Sequence, residues 1–214
     1  MQFTGPDAAL ERAIEADDPA AVDAAIAGGA KANARGAHGV TPLAYAVGTG
    51  RKRAAQALVR HKADPNLKDE EGDNAVTLAV TAYARDPALL DLVLDAGGDP
   101  NTRNSDGSPV IVRFLNDRNL DAITYFHRRG ASIDVEDDGK TLVGRYGTST
   151  DWDVVWHLIQ LGARLDTPEV REDMVSAFKN HGFPSPDSPI YPYKVKVWQR
   201  LKQLGLNPTP PMGM

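Results

Sequence analysis

One short phrase returns along this chain at intervals close to 33 residues, and this period constrains the fold more than any other feature. The phrase is a turn rich in small residues, and its closing Asn or Asp falls at positions 33, 66, 101, 134 and 166. A second phrase keeps the same period and starts at Gly39, Gly72, Gly107 and Gly139. Two phrases in step indicate a protein built from stacked copies of one small structural unit.

Within one unit, the sequence predicts two short helices. Thr41 suits the N-cap of the first helix, and Pro42 suits its first position, where a missing N–H costs nothing. Leu43 and Val47 then fall on one helical face, and Leu58 marks the apolar face of a second helix. The glycines at Gly97-Gly98 and Gly162 fit helix C-termini, where a positive φ is required.

The opening Thr41-Pro42-Leu43 and the closing Ala63-Asp64-Pro65-Asn66 resemble the ankyrin repeat, and the resemblance extends over about residues 7–166. It implies an all-α fold, an ankyrin-repeat solenoid of about five repeats with helical N- and C-terminal caps. We expect a single domain over residues 1–208. Its units are predicted at about 6–33, 34–66, 67–101, 102–134 and 135–166, followed by a modified cap at 167–208 and a loose tail at 209–214.

Three local features depart from the repeat pattern. In the fourth unit, Ser108-Pro109 offers a second way to cap and begin the first helix. In the fifth unit, Gly144 and Gly147 predict a first helix that is short or irregular, because glycine disfavours helix interiors. In the cap, the pattern predicts a helix over Pro168–Asn180, with Thr167 as its N-cap, and a helix over Tyr193–Gln203. A proline-rich stretch without regular structure separates them.

Composition narrows the possible functions. The net charge of −5 argues against nucleic acid as the partner, since such proteins need a basic surface. The chain has no cysteine and no apolar run long enough to cross a bilayer. We expect a monomer when free, without cofactor or metal. It is cytoplasmic as written, or periplasmic if an export signal has been removed.

Catalytic motifs are missing from the sequence. The five histidines form no His-x-x-x-His or His-x-His pair, and phosphate loops, dinucleotide fingerprints and Gly-x-Ser-x-Gly elbows are lacking. The carboxylates concentrate in turns, where little buries them. The sequence therefore predicts a protein that is not an enzyme.

The ankyrin resemblance implies binding of a partner protein through the turn tips and the exposed side of the first helices, which line a concave face. The equivalent position on successive first helices is occupied by residue types that are common in binding hot spots, two residues after the opening leucine. The alternatives are ordinary solvated helix residues and solvated acidic turn tips. The predicted partner-binding residues are Arg12, Arg35, His38, Tyr45, Lys68, Glu70, Glu71, Leu78, Arg103, Asp106, Arg113 and Arg145.

Most aromatic residues lie after position 120. They are predicted to pack the irregular last units into a cap, because aromatic side chains bury large areas. The alternative is an exposed patch on which a partner docks.

The chain is also similar to small bacterial ankyrin proteins, among them immunity proteins that neutralise secreted toxins such as antibacterial lipases. The similarity lies in degenerate repeats and in an aromatic, basic helix followed by Leu206-Asn207-Pro208. It implies tight binding to one effector enzyme and its inhibition. The alternative role is an adaptor or a stabilising partner of a bacterial enzyme, which binds without inhibiting.

Overall fold

The computed structural model describes Gly5 and residues 7–210, and successive α-helices dominate them. Pro6, the predicted start of the first unit, and the last four residues of the predicted tail lie outside the described residues. The helices are α1 (Asp7–Glu15), α2 (Pro19–Ala27), α3 (Pro42–Gly48), α4 (Lys52–Arg60), α5 (Ala75–Ala82), α6 (Pro87–Asp95), α7 (Val112–Asn116), α8 (Leu120–Arg128), α9 (Leu142–Thr148), α10 (Trp152–Gln160), α11 (Pro168–Asn180) and α12 (Tyr191–Gln203).

Contacts divide the chain into two compact halves, with the boundary between Arg113 and Phe114. The N-terminal half contains the helix pairs α1–α2, α3–α4 and α5–α6, and the C-terminal half contains α8 to α12. The only strands of the described residues are β1 (Glu136–Asp137) and β2 (Lys140–Thr141), which form one small hairpin. The predicted all-α class is therefore confirmed. Across residues 7–210, no helix has the length and apolarity that a membrane crossing requires.

Side-chain caps explain where several helices begin. The Thr41 hydroxyl accepts a hydrogen bond from the Ala44 N–H at 3.2 Å, and Pro42 occupies the first turn. Thr167 caps α11 in the same way, through the Val170 N–H at 3.3 Å. Both caps were predicted, because threonine followed by proline satisfies one exposed N–H and removes another.

In three of the repeats the closing Asn or Asp bonds the turn of the next repeat, which explains why a residue of this type recurs. Asn33 accepts a hydrogen bond from the Asp64 N–H at 2.8 Å, and Asn66 accepts one from the Asp99 N–H at 2.7 Å. In the C-terminal half, Asp134 accepts from the Arg164 N–H at 2.8 Å. These hydrogen bonds between successive repeats therefore recur with the same period of about 33 residues.

The fourth repeat begins differently from the prediction. Helix α7 starts only at Val112, so neither Ser108 nor Pro109 caps it or begins it. Pro109 forms an isolated β-bridge with Arg103, and the Ser108 N–H donates to the Asn104 side chain at 2.9 Å. The turn that precedes α7 therefore uses these residues itself, and only five residues remain helical.

Helix α9 is short, as predicted, but it is a continuous helix rather than an irregular one. A Cβ atom at Gly144 would overlap the side chain of Asp173, and one at Gly147 would overlap Met174. Both overlapping residues belong to α11, which packs on α9. The two glycines therefore permit close helix packing, and this benefit offsets their low helix propensity.

Lysine replaces glycine at the end of one repeat. In the turn after the second helix, φ is positive at Gly29, Gly97, Gly130 and Gly162, as predicted for Gly97 and Gly162, and it is also positive at Lys62, where φ is +62°. A side chain costs about 1–2 kcal/mol in this left-handed conformation, whereas glycine adopts it freely.

We expect Lys62→Gly to raise the free energy of unfolding by about 0.5–1 kcal/mol, because relief of the left-handed strain exceeds the entropy that glycine adds to the unfolded chain. Urea denaturation measures the change. Lys31→Gly is the matched control, since Lys31 is exposed and lies outside the left-handed region. This control should lose a few tenths of a kcal/mol. A loss of stability in Lys62→Gly would contradict the strain argument.

Candidate functional site

Long basic side chains tie together the finger loops, the turns at residues 35–40, 68–73 and 103–108 of the N-terminal half. Arg35 donates to the Gly39 carbonyl at 3.0 Å and also to the carbonyl of Lys68. Lys68 donates to the Arg103 carbonyl at 3.1 Å, and Arg103 donates to the Gly107 carbonyl at 2.7 Å. These three predicted site residues therefore order the loops in the free protein.

The tips of the finger loops carry the predicted charged residues, and they also bond one another. The Glu70 N–H donates to the His38 carbonyl at 2.9 Å, and the His38 Nδ1 lies 3.7 Å from the Glu70 carboxylate. Both side chains are largely exposed, as are Glu71 and Asp106. The loops thus present an ordered and mostly acidic edge to solvent.

Tyr45 and Leu78 occupy equivalent positions on the packed helices α3 and α5, and both are half-buried. The Tyr45 hydroxyl donates to the Glu15 carboxylate at 3.3 Å. Burial, and then the negative charge of Glu15, raise the pKa of Tyr45 above its usual value. The Leu78 side chain approaches Gly48, where an added Cβ would lie 3.4 Å from it. The two side chains supply the apolar part of the predicted site.

Two arginines occupy the corresponding positions on α1 and α7. Arg12 on α1 is exposed and lines an open groove of about 520 Å³ together with Ala9 and Ala13. Arg113 is exposed on α7, at the end of the N-terminal half. Because α1 packs on α3 and α3 packs on α5, the structure brings Arg12, Tyr45 and Leu78 onto adjacent helices.

Arg145, the last predicted member of this series, lies in the C-terminal half and has a different environment. Its guanidinium forms an ion pair with Asp137, whose side chain is only 2% exposed. Asp137 belongs to β1, where Asp138 and Gly139 form a tight turn with positive φ values. Arg145 therefore fastens this hairpin to α9, and the sequence offered no sign of it because Asp137 sits among other acidic turn residues.

Three of the five histidines make local or repeat-to-repeat contacts through their side chains. His61 Nε2 lies 2.8 Å from the Asp23 carboxylate, and this hydrogen bond is the largest of the effects that lower the pKa of Asp23. His127 lies 2.8 Å from the Ala131 carbonyl, and His157 lies 2.8 Å from the Thr124 hydroxyl. Within residues 7–210, no group of three or more His, Asp or Glu side chains is placed to hold a metal ion.

Three of the late aromatic residues surround the side chain of Lys194, an arrangement that the sequence did not predict. The Lys194 Nζ lies 4.5 Å from the ring centre of Trp152, 4.9 Å from Phe178 and 5.1 Å from Phe183. The side chain is fully buried and donates to the Gly182 carbonyl. Trp152 and Phe178 are fully buried as well, so these aromatics pack the end of the C-terminal half.

A comparison with known families agrees with this geometry. The family model for ankyrin repeats, in three copies, matches residues 10–103, which include nearly all of the three helix pairs of the N-terminal half. Residues 10–103 are therefore ankyrin repeats, and the succession of short helix pairs fits an all-α ankyrin-repeat solenoid. No curated protein sequence is significantly similar to it. Ankyrin repeats are generally protein–protein interaction modules, and the family is typically non-enzymatic.

Proposed function

We propose that this protein binds a partner protein through the finger loops and first helices of its N-terminal half. The observation that carries the proposal is the pair Tyr45 and Leu78, two half-buried side chains on adjacent helices with Arg12 beside them. Tyrosine and arginine are enriched among the residues that dominate binding energies, and an apolar centre with a charged edge is typical of protein interfaces.

The ordered finger loops support the same proposal. The bonds from Arg35, Lys68 and Arg103 hold these loops before any partner arrives. A preordered surface loses less conformational entropy on binding than a mobile one. The exposed carboxylates of Glu70, Glu71 and Asp106 then favour a partner with basic groups opposite the loop tips. Arg113 extends this surface on α7. Arg145 lies in the C-terminal half and pairs with Asp137, so the proposed face does not include it.

A finer proposal concerns the partner: a secreted antibacterial effector, such as a lipase, which the protein would neutralise as an immunity protein. It rests on the resemblance of the degenerate repeats and of the C-terminal segment to small bacterial ankyrin proteins of that type. The second candidate is an adaptor or stabilising partner for a bacterial enzyme. An assay of the partner enzyme's activity separates the two, because only the immunity role requires inhibition.

The test is a pull-down of proteins from the lysate of the source cells, with the wild type beside Arg12→Glu/Leu78→Asp. The matched control is Arg53→Glu/Gln56→Asp, which makes the same charge change at two exposed positions of α4. We expect one partner to be captured by the wild type and by the control, and to be lost with the first variant. Its affinity for the purified wild type is then measured by calorimetry.

The outcomes discriminate clearly. Equal capture by all three proteins would overturn the proposed face, and capture lost only with the control would move the interface to the second helices. If the captured partner is an enzyme that remains fully active in the complex, the immunity role is rejected and the adaptor role is retained.

A further inference from the structure

The C-terminal helix α12 is positively charged, whereas the chain as a whole is negatively charged. Four basic residues and no acidic residue follow Asp187, although the whole chain has a net charge of −5. One of the four, Lys194, is buried. The other three, Lys196, Arg200 and Lys202, are exposed. Positive charge is thus concentrated on the solvent side of one helix.

Aromatic rings hold two of these cations in place. The Lys196 Nζ lies 5.3 Å from the ring centre of Tyr193 and 5.7 Å from that of Trp156 on α10. The Lys202 Nζ lies 4.7 Å from the ring centre of Trp198. Each cation–π contact is weak at an exposed site, but it restricts a side chain that would otherwise be mobile. The ordering cost of a later ionic contact falls accordingly.

Helix geometry puts these cations on both sides of an exposed strip. Val197 and Leu201 are buried and define the inner face of α12. Lys196 and Arg200, four residues apart, lie together on one flank, and Lys202 lies on the other. The strip between the flanks contains Gln199 and Gln203 and no acidic residue. It therefore carries no negative charge that would repel an anionic ligand.

An apolar groove runs beside the flank of Arg200. It has a volume of about 330 Å³ and is lined by Ile159, Leu165 and Leu204, with Asp166 and Arg200 among the polar residues of its wall. This space admits one or two aliphatic side chains next to an arginine. A ligand that fits the whole surface therefore combines carboxylates with an aliphatic anchor.

We propose that the surface formed by Lys196, Arg200, Lys202 and the groove beside Arg200 docks an acidic protein segment that carries an aliphatic side chain. This basic surface belongs to the C-terminal half and is independent of the proposed face of the N-terminal half. It gives the protein a second attachment point, selective for partners whose acidic segment places a leucine-like residue within reach of the groove.

A protein segment suits this surface better than a nucleic acid does. Three exposed cations neutralise few phosphates, and the acidic remainder of the chain repels a long polyanion that extends beyond the helix. An apolar groove also offers nothing to a phosphate backbone. A short acidic segment satisfies both the cations and the groove without approaching the acidic surface elsewhere.

The test uses the full chain and a short fluorescein-labelled peptide of glutamates with a leucine at every fourth position, followed by fluorescence anisotropy. The variant Lys196→Glu/Arg200→Glu is compared with Arg171→Glu/Lys179→Glu, which makes the same charge change at two exposed positions of α11. We expect the first variant to weaken peptide binding about ten-fold or more, and the control to change it less than about two-fold. Replacing the leucines of the peptide with serine should also weaken binding.

Several results would overturn the proposal. Equal weakening of peptide binding in both variants would mean that only the net charge of the protein matters. If the wild type binds no peptide, the proposed docking role of this surface is rejected. Tighter binding of oligo-dT, or of vesicles of equal parts phosphatidylserine and phosphatidylcholine, would assign the surface to a nucleic acid or a membrane instead. Thermal unfolding of both variants confirms that they are folded. The partner captured by the N-terminal face plays no part in these measurements, so failure here leaves that proposal untouched.

Discussion

Arg145→Ala is expected to lower the free energy of unfolding by about 3 kcal/mol, which is the lower end of the range for breaking a buried ion pair. The reason is the partner left behind. Asp137 is 2% exposed, and without the guanidinium its carboxylate remains buried without a compensating charge. Alanine has the best helix propensity, so α9 itself loses nothing intrinsic. Chemical denaturation at neutral pH measures the loss.

Two further variants isolate the cause of this effect. Arg128→Ala removes an exposed arginine from α8 and should change stability by less than about 0.5 kcal/mol. Asp137→Leu/Arg145→Met removes both charges and should recover part of the loss, because no carboxylate then stays buried alone. If Arg145→Ala is as stable as Arg128→Ala, the ion pair is not structural and Arg145 returns to the set of partner-binding candidates.

The second large effect concerns Lys194 and depends on pH. Burial lowers the pKa of Lys194 from 10.5 to about 8, while the three surrounding ring faces attract the ammonium and oppose that change. Between pH 8 and pH 10.5 the unfolded chain therefore binds more protons at this residue than the folded chain does. The contribution of Lys194 to the free energy of unfolding consequently rises with pH across that interval.

We expect the free energy of unfolding of the wild type, relative to Lys194→Met, to increase by about 2–3 kcal/mol between pH 7 and pH 10.5. Methionine keeps an unbranched chain in the aromatic cluster but does not titrate. Other ionisable groups are common to both proteins and cancel in the difference. Urea denaturation at a series of pH values gives the comparison.

Lys196→Met serves as the control for this prediction, since Lys196 is exposed on the same helix and also lies over aromatic rings. Its difference from the wild type should change less with pH than that of Lys194→Met, because the Lys196 side chain is exposed rather than buried. A flat difference for Lys194→Met would show that its ammonium keeps an ordinary pKa despite burial, and that the rings compensate for the lost solvation.

Local chemistry made much of the repeat architecture predictable from the sequence. Thr41 and Thr167 are helix caps because a hydroxyl before proline satisfies an exposed N–H, whatever surrounds the helix. The repeat period could be recognised in the sequence because Asn33 and Asn66 have the same role. Each accepts a hydrogen bond from the next turn. Such features depend on neighbours that lie at a fixed sequence distance.

The candidate site was predictable only in part. Helical position placed Arg12, Tyr45 and Leu78 on one series of first helices, and the structure puts them on adjacent elements. The same reasoning also predicted Arg145 as a partner-binding residue. A position in a repeat does not reveal that a buried carboxylate, here Asp137, lies beside the side chain. Arg35 and Arg103 were likewise predicted as contacts for a partner, and they also bond the loops of their own chain.

The sequence by itself determined the repeat, the helix starts capped by Thr41 and Thr167, and the class of protein, because all three depend on short-range chemistry. Only the tertiary structure decided that Gly144 and Gly147 admit α11, that Asp137 is buried against Arg145, and that Lys194 lies among three aromatic rings. These contacts join residues whose spacing follows no period. Their energies come from packing and desolvation, which depend on the assembled surroundings rather than on local sequence.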